Sequence, residues 1–451
     1  MPTRIDTWID AQRLRQEFLA YYQARGHAII GSAPLIPAHD PSVLFTTAGM
    51  HPLVPFLLGA QHPAGRRLAN YQKCLRTNDI AEVGDGVHLT FFEMLGAWSL
   101  DDYGRADALR WSYGFLTERL GLDPARFHVT CFAGDADAPR DMEAAALWRA
   151  LGIPPERISF LPKADNWWGP AGASGPCGPD SELFYDTDPG GPPGATPATH
   201  PARFWEVGNN VFMQYDQQPD GRYLPLAQPN VDLGIGLERT LALVQGVATA
   251  YETELFVPIV EQIRARSGRP DPAPVAVRVI ADHIRAAVGI LAEGIVPGKV
   301  GQPYIARRLV RRAVRYGREI GIGSHFLADL AVVAIPTLAA PYPELAREQA
   351  RICAALDAEE TRFQRTLVDG EKELAKAMAV CQAQGTPVLP GPVVFQLYST
   401  YGFPVELTQE IVTQAGLDLD RAGFAAAFAD HQALSRQGGA ARFRGGLARE
   451  P

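Results

Sequence analysis

The chain has 451 residues, 47% apolar and 20% charged, enough to bury a large core and to divide into two or three domains. No run of 18 apolar residues appears, and no apolar stretch follows the charged start MPTRIDTWID, so neither a membrane span nor a signal peptide is supported and the expected location is cytoplasmic. The net charge of −8 excludes a bulk polycation that coats nucleic acid, so any RNA site must be local.

Leu14, Phe18, Leu19 and Tyr22 stand at helical spacing with Gly26 as a stop signal, which predicts an amphipathic helix over 10–25. Val43-Leu-Phe-Thr-Thr47 reads as a strand, and so does His88–Leu95 after the polar turn Gly84-Asp85-Gly86; joined across a polar loop, the two suggest an antiparallel pair. Residues 105–120 and 140–152 are expected to be helical, with a strand at Phe127–Phe132 between them. The segment Asp165–Pro179 holds so many Gly and Pro residues around two tryptophans that it reads as an ordered loop rather than a regular element. The Pro- and Gly-rich stretch between Asp186 and Pro201 reads as an exposed loop.

Past about residue 245 long helical patterns dominate, at 252–266, 276–293, 303–320 and 346–383. The shift marks a mixed α/β unit over 1–245, a helical unit over 246–436 and a mobile Gly- and Arg-rich tail over 437–451. The five cysteines are far apart and odd in number, which argues against a disulfide framework. The ten histidines form no HxxH or HxxxH pair, so no zinc signature is present and no protein Cys/His metal site is expected.

Three segments carry chemistry. Arg76 stands at a strand end beside a polar loop, facing a strand with Phe91 and Phe92; an arginine there can grip a phosphate while an aromatic stacks a base, although aromatics on strands are mostly core. The Asp165–Pro179 segment is the second. In the third, Gly234 and Gly236 of Asn230–Arg239 let the backbone pass close to a ligand before a helix begins, without the third glycine of a phosphate loop.

Together these segments resemble the alanyl-tRNA synthetases. Asp40–Met50 is similar to their motif 1, Gln72–Arg76 with Thr90–Gly96 to motif 2, and Val231–Arg239 to motif 3; Gly175–Pro179, Asn210–Gln214, Ala281–Arg285 and Tyr401–Pro404 match in the same order. The resemblance implies an α+β fold, a class II antiparallel sheet flanked by helices and followed by an all-helical tRNA-recognition domain. The implied reaction is ATP-dependent activation of L-alanine to alanyl-adenylate, with Mg2+, and its transfer to the 3′ end of tRNA(Ala).

By this resemblance Arg76 and Arg239 are the catalytic residues. Arg76 bridges the α-phosphate and the alanine carboxylate, and Arg239 holds the γ-phosphate of a bent ATP; Phe91 or Phe92, Met94 and Gly236 complete the ATP site. Asp232 pairs with the α-ammonium, and Trp168 and Val211 wall off a pocket with room for a methyl group; Asn209 and Gln214 are weaker candidates. In the implied recognition helix Arg308, Arg311, Arg312 and Arg315 fall on one face, a stripe suited to acceptor-stem phosphates, with a plain solvated face as the alternative.

Three departures accompany the match. Gly301 and Ser399 stand where the family has an Asn and an Asp that read the G3·U70 pair, and motif 2 lacks the Ala-Gly-Gly-Lys-His stretch after its arginine. The chain ends just after Phe443–Ala448, where relatives continue into an editing domain, so no cis editing and a monomer are expected. Two other readings stay open: an alanine-activating paralogue with a different acceptor, and a non-catalytic RNA-binding paralogue.

Overall fold

The computed structural model describes residues 8–38, 43–170, 172, 174–401 and 403–429. Parts of the motif 1 run (Asp40 to Ser42), Gly402, the Phe443–Ala448 segment and the tail expected over 437–451 lie outside the described residues.

The first helix, α1 (Ala11–Gln23), begins where the Asp10 carboxylate accepts the Arg13 N–H at 2.7 Å, and it buries Leu14, Phe18, Tyr21 and Tyr22. Strand β1 (Ala28–Ile29) and the short helix α2 (Val54–Leu57) follow. Next come β2 (Arg67–Leu75), β3 (Phe91–Leu100), α3 (Arg105–Gly114), β4 (Phe127–Phe132) and α4 (Met142–Ala150). Strands β5 (Ile158–Leu161), β6 (Trp167–Trp168), β7 (Gly175–Asp186), β8 (Phe204–Gln217) and β9 (Tyr223–Gly236) lead into α5 (Leu237–Gln245). That helix is closed by Gly246 at φ +69°, a left-handed cap that glycine takes without a Cβ penalty.

Strands β1 to β9 form one sheet in the order β1-β2-β3-β9-β8-β7-β4-β5, with β6 pairing onto β7. The pairs β1·β2 and β4·β5 are parallel, and the four strands β3, β9, β8 and β7 at its centre run antiparallel to their neighbours. A second, two-stranded parallel sheet, Val388–Leu389 with Asp418–Leu419, means that the part expected to be all-helical is not entirely so.

Two expectations are corrected here. Val43–Thr47 is not a strand: Thr46 N–H bonds Leu35 O and Leu75 N–H bonds Thr46 O as single contacts, and the antiparallel partner of β3 is β2. The Gly175–Pro179 run is not a loop but the start of β7. Its prolines are tolerated because the β7·β8 register shifts between Cys177 and Asp180. Gly178 is required there, since a Cβ would lie 2.1 Å from Phe212 O.

The remaining helices are α6 (Val257–Arg266), α7 (Pro274–Ala292), α8 (Gly301–Glu319), α9 (Leu327–Ala339), α10 (Glu344–Arg347), α11 (Gln349–Ala383), α12 (Gly391–Tyr401) and α13 (Val405–Gln414). Helix α7 is buried nearly all round, from Ala276 to Leu291, and packs on the back of the sheet so closely that a Cβ on Gly289 would touch the Phe91 ring at 3.0 Å. One apolar core therefore runs from the sheet's back face through α1, α5 and α7 into α8, α9 and α11. A smaller cluster (Ala48, Met50, Leu53, Leu57, Leu68, Trp98, Leu100, Val211, Met213) lies apart from it. No helix among the described residues is long and apolar enough to cross a membrane.

Candidate active site

Residues opposite one another on neighbouring strands share a sheet face. The register pairs Met94 with Gly236, Gly96 with Gly234, and Trp98 with Asp232; Asp232 then pairs with Val211, and Gly234 with Asn209. Val211 pairs in turn with Asp180, and Asn209 with Glu182. Four strands thus build one floor with two small residues in its middle. Above it lies a pocket lined by Ala48, Arg76, Asp79, Phe92, Met94, Trp168, Glu182, Glu206, Asn209, Val211, Asp232, Gly234, Gly236, Glu238 and Arg239, and by Val87 and Leu89 of the β2–β3 loop.

Arg76 follows the last residue of β2. Its N–H bonds Thr90 O at 3.0 Å, closing the 76–90 loop, and its Nε donates to Thr47 O at 3.2 Å. The guanidinium lies over the Phe92 ring, 5.0 Å from the centroid. Arg239, in the first turn of α5, donates from Nη1 to the Glu206 carboxylate at 3.1 Å and to its backbone oxygen at 3.2 Å.

Carboxyls dominate the other end. Asp232 is 4% exposed, its Oδ1 has no hydrogen-bond partner, and burial pushes its pKa up to about 7, with the Trp98 side chain opposing the rise. Asp180 is also raised to about 7 by burial, although Asn209 Nδ2 (3.0 Å) and Asn166 Nδ2 (2.9 Å) donate to it and favour the charged form. Glu182 is held well above the usual carboxylate range, first by burial and then by Glu206 and Asp180 beside it. The pocket thus has a cationic side, Arg76 and Arg239, and two carboxyls, Asp232 and Glu182, with no ion pair among the described residues; Glu206 is paired with Arg239, and Glu238 with Arg285 at 3.0 Å.

The structure gathers most of the expected residues and corrects others. Arg76, Phe92, Met94, Trp168, Val211, Asp232, Gly236 and Arg239 all line the pocket, with Asn209. Phe91 does not: it points to the opposite face, buried against Gly289 of α7, because neighbours on a strand alternate sides. Gln214 lies in a separate depression with Asp101, Arg105 and Asn230. Asp180, Glu182, Glu206 and Trp98 were missed. Asp180 and Glu182 were findable as two acids at i, i+2 in the middle of a strand, on one face of it.

The arginine stripe of α8 is also placed differently. Arg311, Arg312 and Arg315 are 7–8% exposed and face α11 and α13, where Arg311 Nε meets Glu359 at 2.8 Å, Arg312 grips Glu410 with Nε and Nη2 at 3.1 Å each, and Arg315 Nη2 donates to Gln414 at 2.8 Å. A plain solvated face does not describe them, since Glu359 and Glu410 reach them from 48 and 98 residues away in sequence. Arg308 is half-buried and, with Arg311 and Arg312, lines a cavity of about 740 Å³ between the 81–85 loop, α8 and α13. Gly301 (φ +62°) sits exposed at the start of α8, and Ser399 on α12 bonds its own helix at Phe395 O, 2.7 Å away.

One consequence of the floor can be measured. A Cβ on Gly96 would lie 2.2 Å from Trp98 Cη2, so Gly96→Ala must push Trp98 out of its place beside Asp232. Overpacking of this kind costs about 1–3 kcal/mol. Thermal unfolding is expected to show a lowered Tm, and substrate titration a raised alanine KM; an unchanged KM would mean that Trp98 does not set the Asp232 carboxyl.

An antiparallel floor bearing an arginine from the β2–β3 hairpin and a second from the strand-to-helix junction defines a class II tRNA synthetase. The family model described as tRNA synthetases class II (A) matches residues 13–445, and the chain belongs to that family. It is 50% identical to the alanine–tRNA ligase of Treponema pallidum, over 98% of this chain and 74% of that enzyme. Against the alanine–tRNA ligase of Treponema denticola it is 46% identical, over 98% of this chain and 75% of that enzyme, and against that of Borreliella afzelii 44%, over 97% and 74%. Within the family the chain groups with the alanine–tRNA ligases, whose reaction it performs: L-alanine is activated with ATP and joined to tRNA.

Proposed function

We propose that the pocket holds alanine and ATP across its charge gradient, with Asp232 on the ammonium and Arg76 between the alanine carboxylate and the α-phosphate. The single observation that carries this reading is the buried Asp232, its Oδ1 without a partner, in the same pocket as an arginine whose Nε alone is bound to the protein among the described residues. A zwitterion satisfies both: its cation meets the orphan carboxylate, its carboxylate the guanidinium. Trp168, Val211 and Ala48 close the space beyond Cα.

Attack of the carboxylate oxygen on the α-phosphorus forms the O–P bond of the mixed anhydride, and the bond to pyrophosphate breaks in line. Little covalent chemistry falls to the protein, so its share is positioning and charge neutralisation. Arg76 neutralises charge at the reacting phosphate. Arg239 faces the leaving phosphates from the N-terminus of α5, and Phe92 with Gly236, which leaves open space above the floor, gives the adenine a flat berth.

Mg2+ is commonly held by one or two carboxylates together with substrate phosphates. Glu206 and Glu182 fit that donor set: both line the pocket, and the ionised form of Glu182, disfavoured first by burial and then by Glu206 and Asp180 beside it, would be favoured by a cation between them. The ion would draw charge from the phosphates as pyrophosphate leaves.

For the helical part we propose acceptor-stem docking against the cavity that Arg308 lines, with the division near residue 245 at the cap of α5. Five cysteines without a disulfide suit work in a reducing cytoplasm. Alanine-dependent ATP–pyrophosphate exchange, with glycine and serine as controls, tests the site. Glycine is expected to be activated about 10- to 150-fold less efficiently than alanine, the worth of one methyl group. Equal efficiency for the two would refute the closed side-chain pocket.

A further inference from the structure

We propose that His283 and Arg312 are positioning residues for amino-acid activation: they fix the 76–90 loop, and through it Arg76, from the helical half. The proposal rests on the reading of Arg76 given above.

Arg312 spends its donors within the fold. Nε and Nη2 hold Glu410 of α13, and Nη1 donates both to Ile80 O, in the 76–90 loop, and to His283 Nε2, each at 2.9 Å. A guanidinium can only donate. His283 Nε2 must therefore accept, which places the ring proton on Nδ1, and Nδ1 lies 2.8 Å from Asp282 Oδ2. The other oxygen of Asp282 accepts the Thr90 N–H at 2.8 Å, and Thr90 O accepts the Arg76 N–H. The bonds thus run without a break from Glu410 on α13, through Arg312 and His283, to the backbone that carries Arg76. His283 is fully buried, and each of its ring nitrogens has one partner among the described residues.

The loop is gripped at both ends and in the middle. Ile80 and Thr90 are its two ends in this network, and Arg278 Nη1, one turn before Asp282 on α7, donates to Gly84 O at 3.2 Å between them. The loop is also seated by its own apolar residues, since Ile80, Val83 and Leu89 are buried in the main core. Asp85 accepts from Val87 N–H and His88 N–H, which shapes the tip but does not attach it to the sheet. Its residues also form walls of two spaces: Asp79, Val87 and Leu89 line the activation pocket, and Ala81 to Asp85 line the larger cavity with Arg308 and Arg312. With Ile80, Val83 and Leu89 in the core, the hydrogen bonds from α7 and α8 set where the loop's backbone stands, and misplacing a reacting group by about 1 Å can cost about a hundredfold in rate. These bonds use four of the five N–H groups of Arg312, which leaves one on Nη2 for any contact with an RNA phosphate.

The test is pyrophosphate exchange by the whole chain carrying His283→Ala, Arg312→Met or, as the conservative variant, His283→Gln, whose amide can still accept from Arg312. Rates are referred to the concentration of folded sites, found by titrating the adenylate burst. The expected result is a loss of about tenfold or more in kcat for His283→Ala and Arg312→Met. Alanine KM should change by less than about twofold, because Asp232 and Trp168 stand on the sheet and not on the loop. Partial recovery is expected in His283→Gln. A purely structural role would reduce the number of active sites and leave kcat per site intact, and that result would overturn the proposal. So would normal exchange accompanied by weakened, salt-sensitive tRNA binding in Arg312→Met, which would return Arg312 to the RNA surface. Arg76→Ala is assayed in parallel: if it leaves exchange unchanged, the reading of Arg76 fails, and if it abolishes exchange while the other variants do not, the positioning role alone fails.

Discussion

Arg76→Ala is expected to lower kcat for alanine-dependent pyrophosphate exchange by about 10²- to 10³-fold, the range seen when one preorganised donor to a developing anion is removed. The loss should fall on kcat more than on either KM, since the charge that Arg76 meets grows as the O–P bond forms. The structure supports this in detail. Among the described residues only Nε has a protein acceptor, Thr47 O, and the plane of the group rests on Phe92. The side chain is therefore oriented by the fold while its terminal donors remain for substrate. Arg76→Lys should recover little, because a point charge cannot serve a carboxylate and a phosphate together as a planar fork does. Exchange kinetics with saturating alanine and ATP check both statements. A mutant that loses affinity but keeps kcat would contradict the role.

Asp232→Asn should raise the alanine KM on the order of a hundredfold, the worth of a buried charge pair that has lost one partner. The same substitution is expected to stabilise the ligand-free protein. The sign follows from proton counting. An ordinary Asp titrates at 3.8, and Asp232 in the fold at about 7, so between those values the folded state binds the extra proton. Raising the pH through that window costs the folded state stability, up to ~4 kcal/mol for a shift of this size. Asparagine carries no such cost. The Tm of Asp232→Asn should exceed that of the parent by a few degrees at pH 8, and the gap should shrink toward pH 4. The same titration sets a pH dependence for binding. Below about pH 7 the carboxyl must lose its proton before it can pair with an ammonium, so the parent's alanine KM should rise up to tenfold per unit as pH falls. A gap in Tm that does not depend on pH, measured by calorimetry across pH 5 to 8, would refute the assigned carboxyl.

The two substitutions together describe a site that trades stability for function. Asp180 and Glu182 repeat the pattern of Asp232, the one buried and the other half-buried, both raised first by desolvation on the same floor. Strands hold them there because the core on the sheet's other face, under α7, fixes which residues face the pocket. A one-residue slip of β9 would bury Asp232 in that core, so the apolar residues Val231, Leu233 and Ile235 secure the register of the functional row.

Much of this molecule is determined by local sequence. Helices α1, α3, α4, α7, α8 and α11 follow from 3.6-residue periodicity, and Arg76, Arg239 and Asp232 stand in runs whose order identifies the family. The alternation of a strand even predicts that Phe91 and Phe92 must part company, one to the core and one to the pocket. What local sequence leaves undecided is whatever depends on a distant partner. Gly175–Pro179 became a strand because β8 offered a shifted register to pair with. The α8 arginines turned inward because Glu359 and Glu410 arrive from α11 and α13, and a charge pair is favoured by proximity in space, which nothing in the arginines' own neighbourhood records. Composition and period thus decided which elements form and which residues carry charge, whereas the tertiary structure alone decided which of those charges are spent within the fold and which are left for substrate.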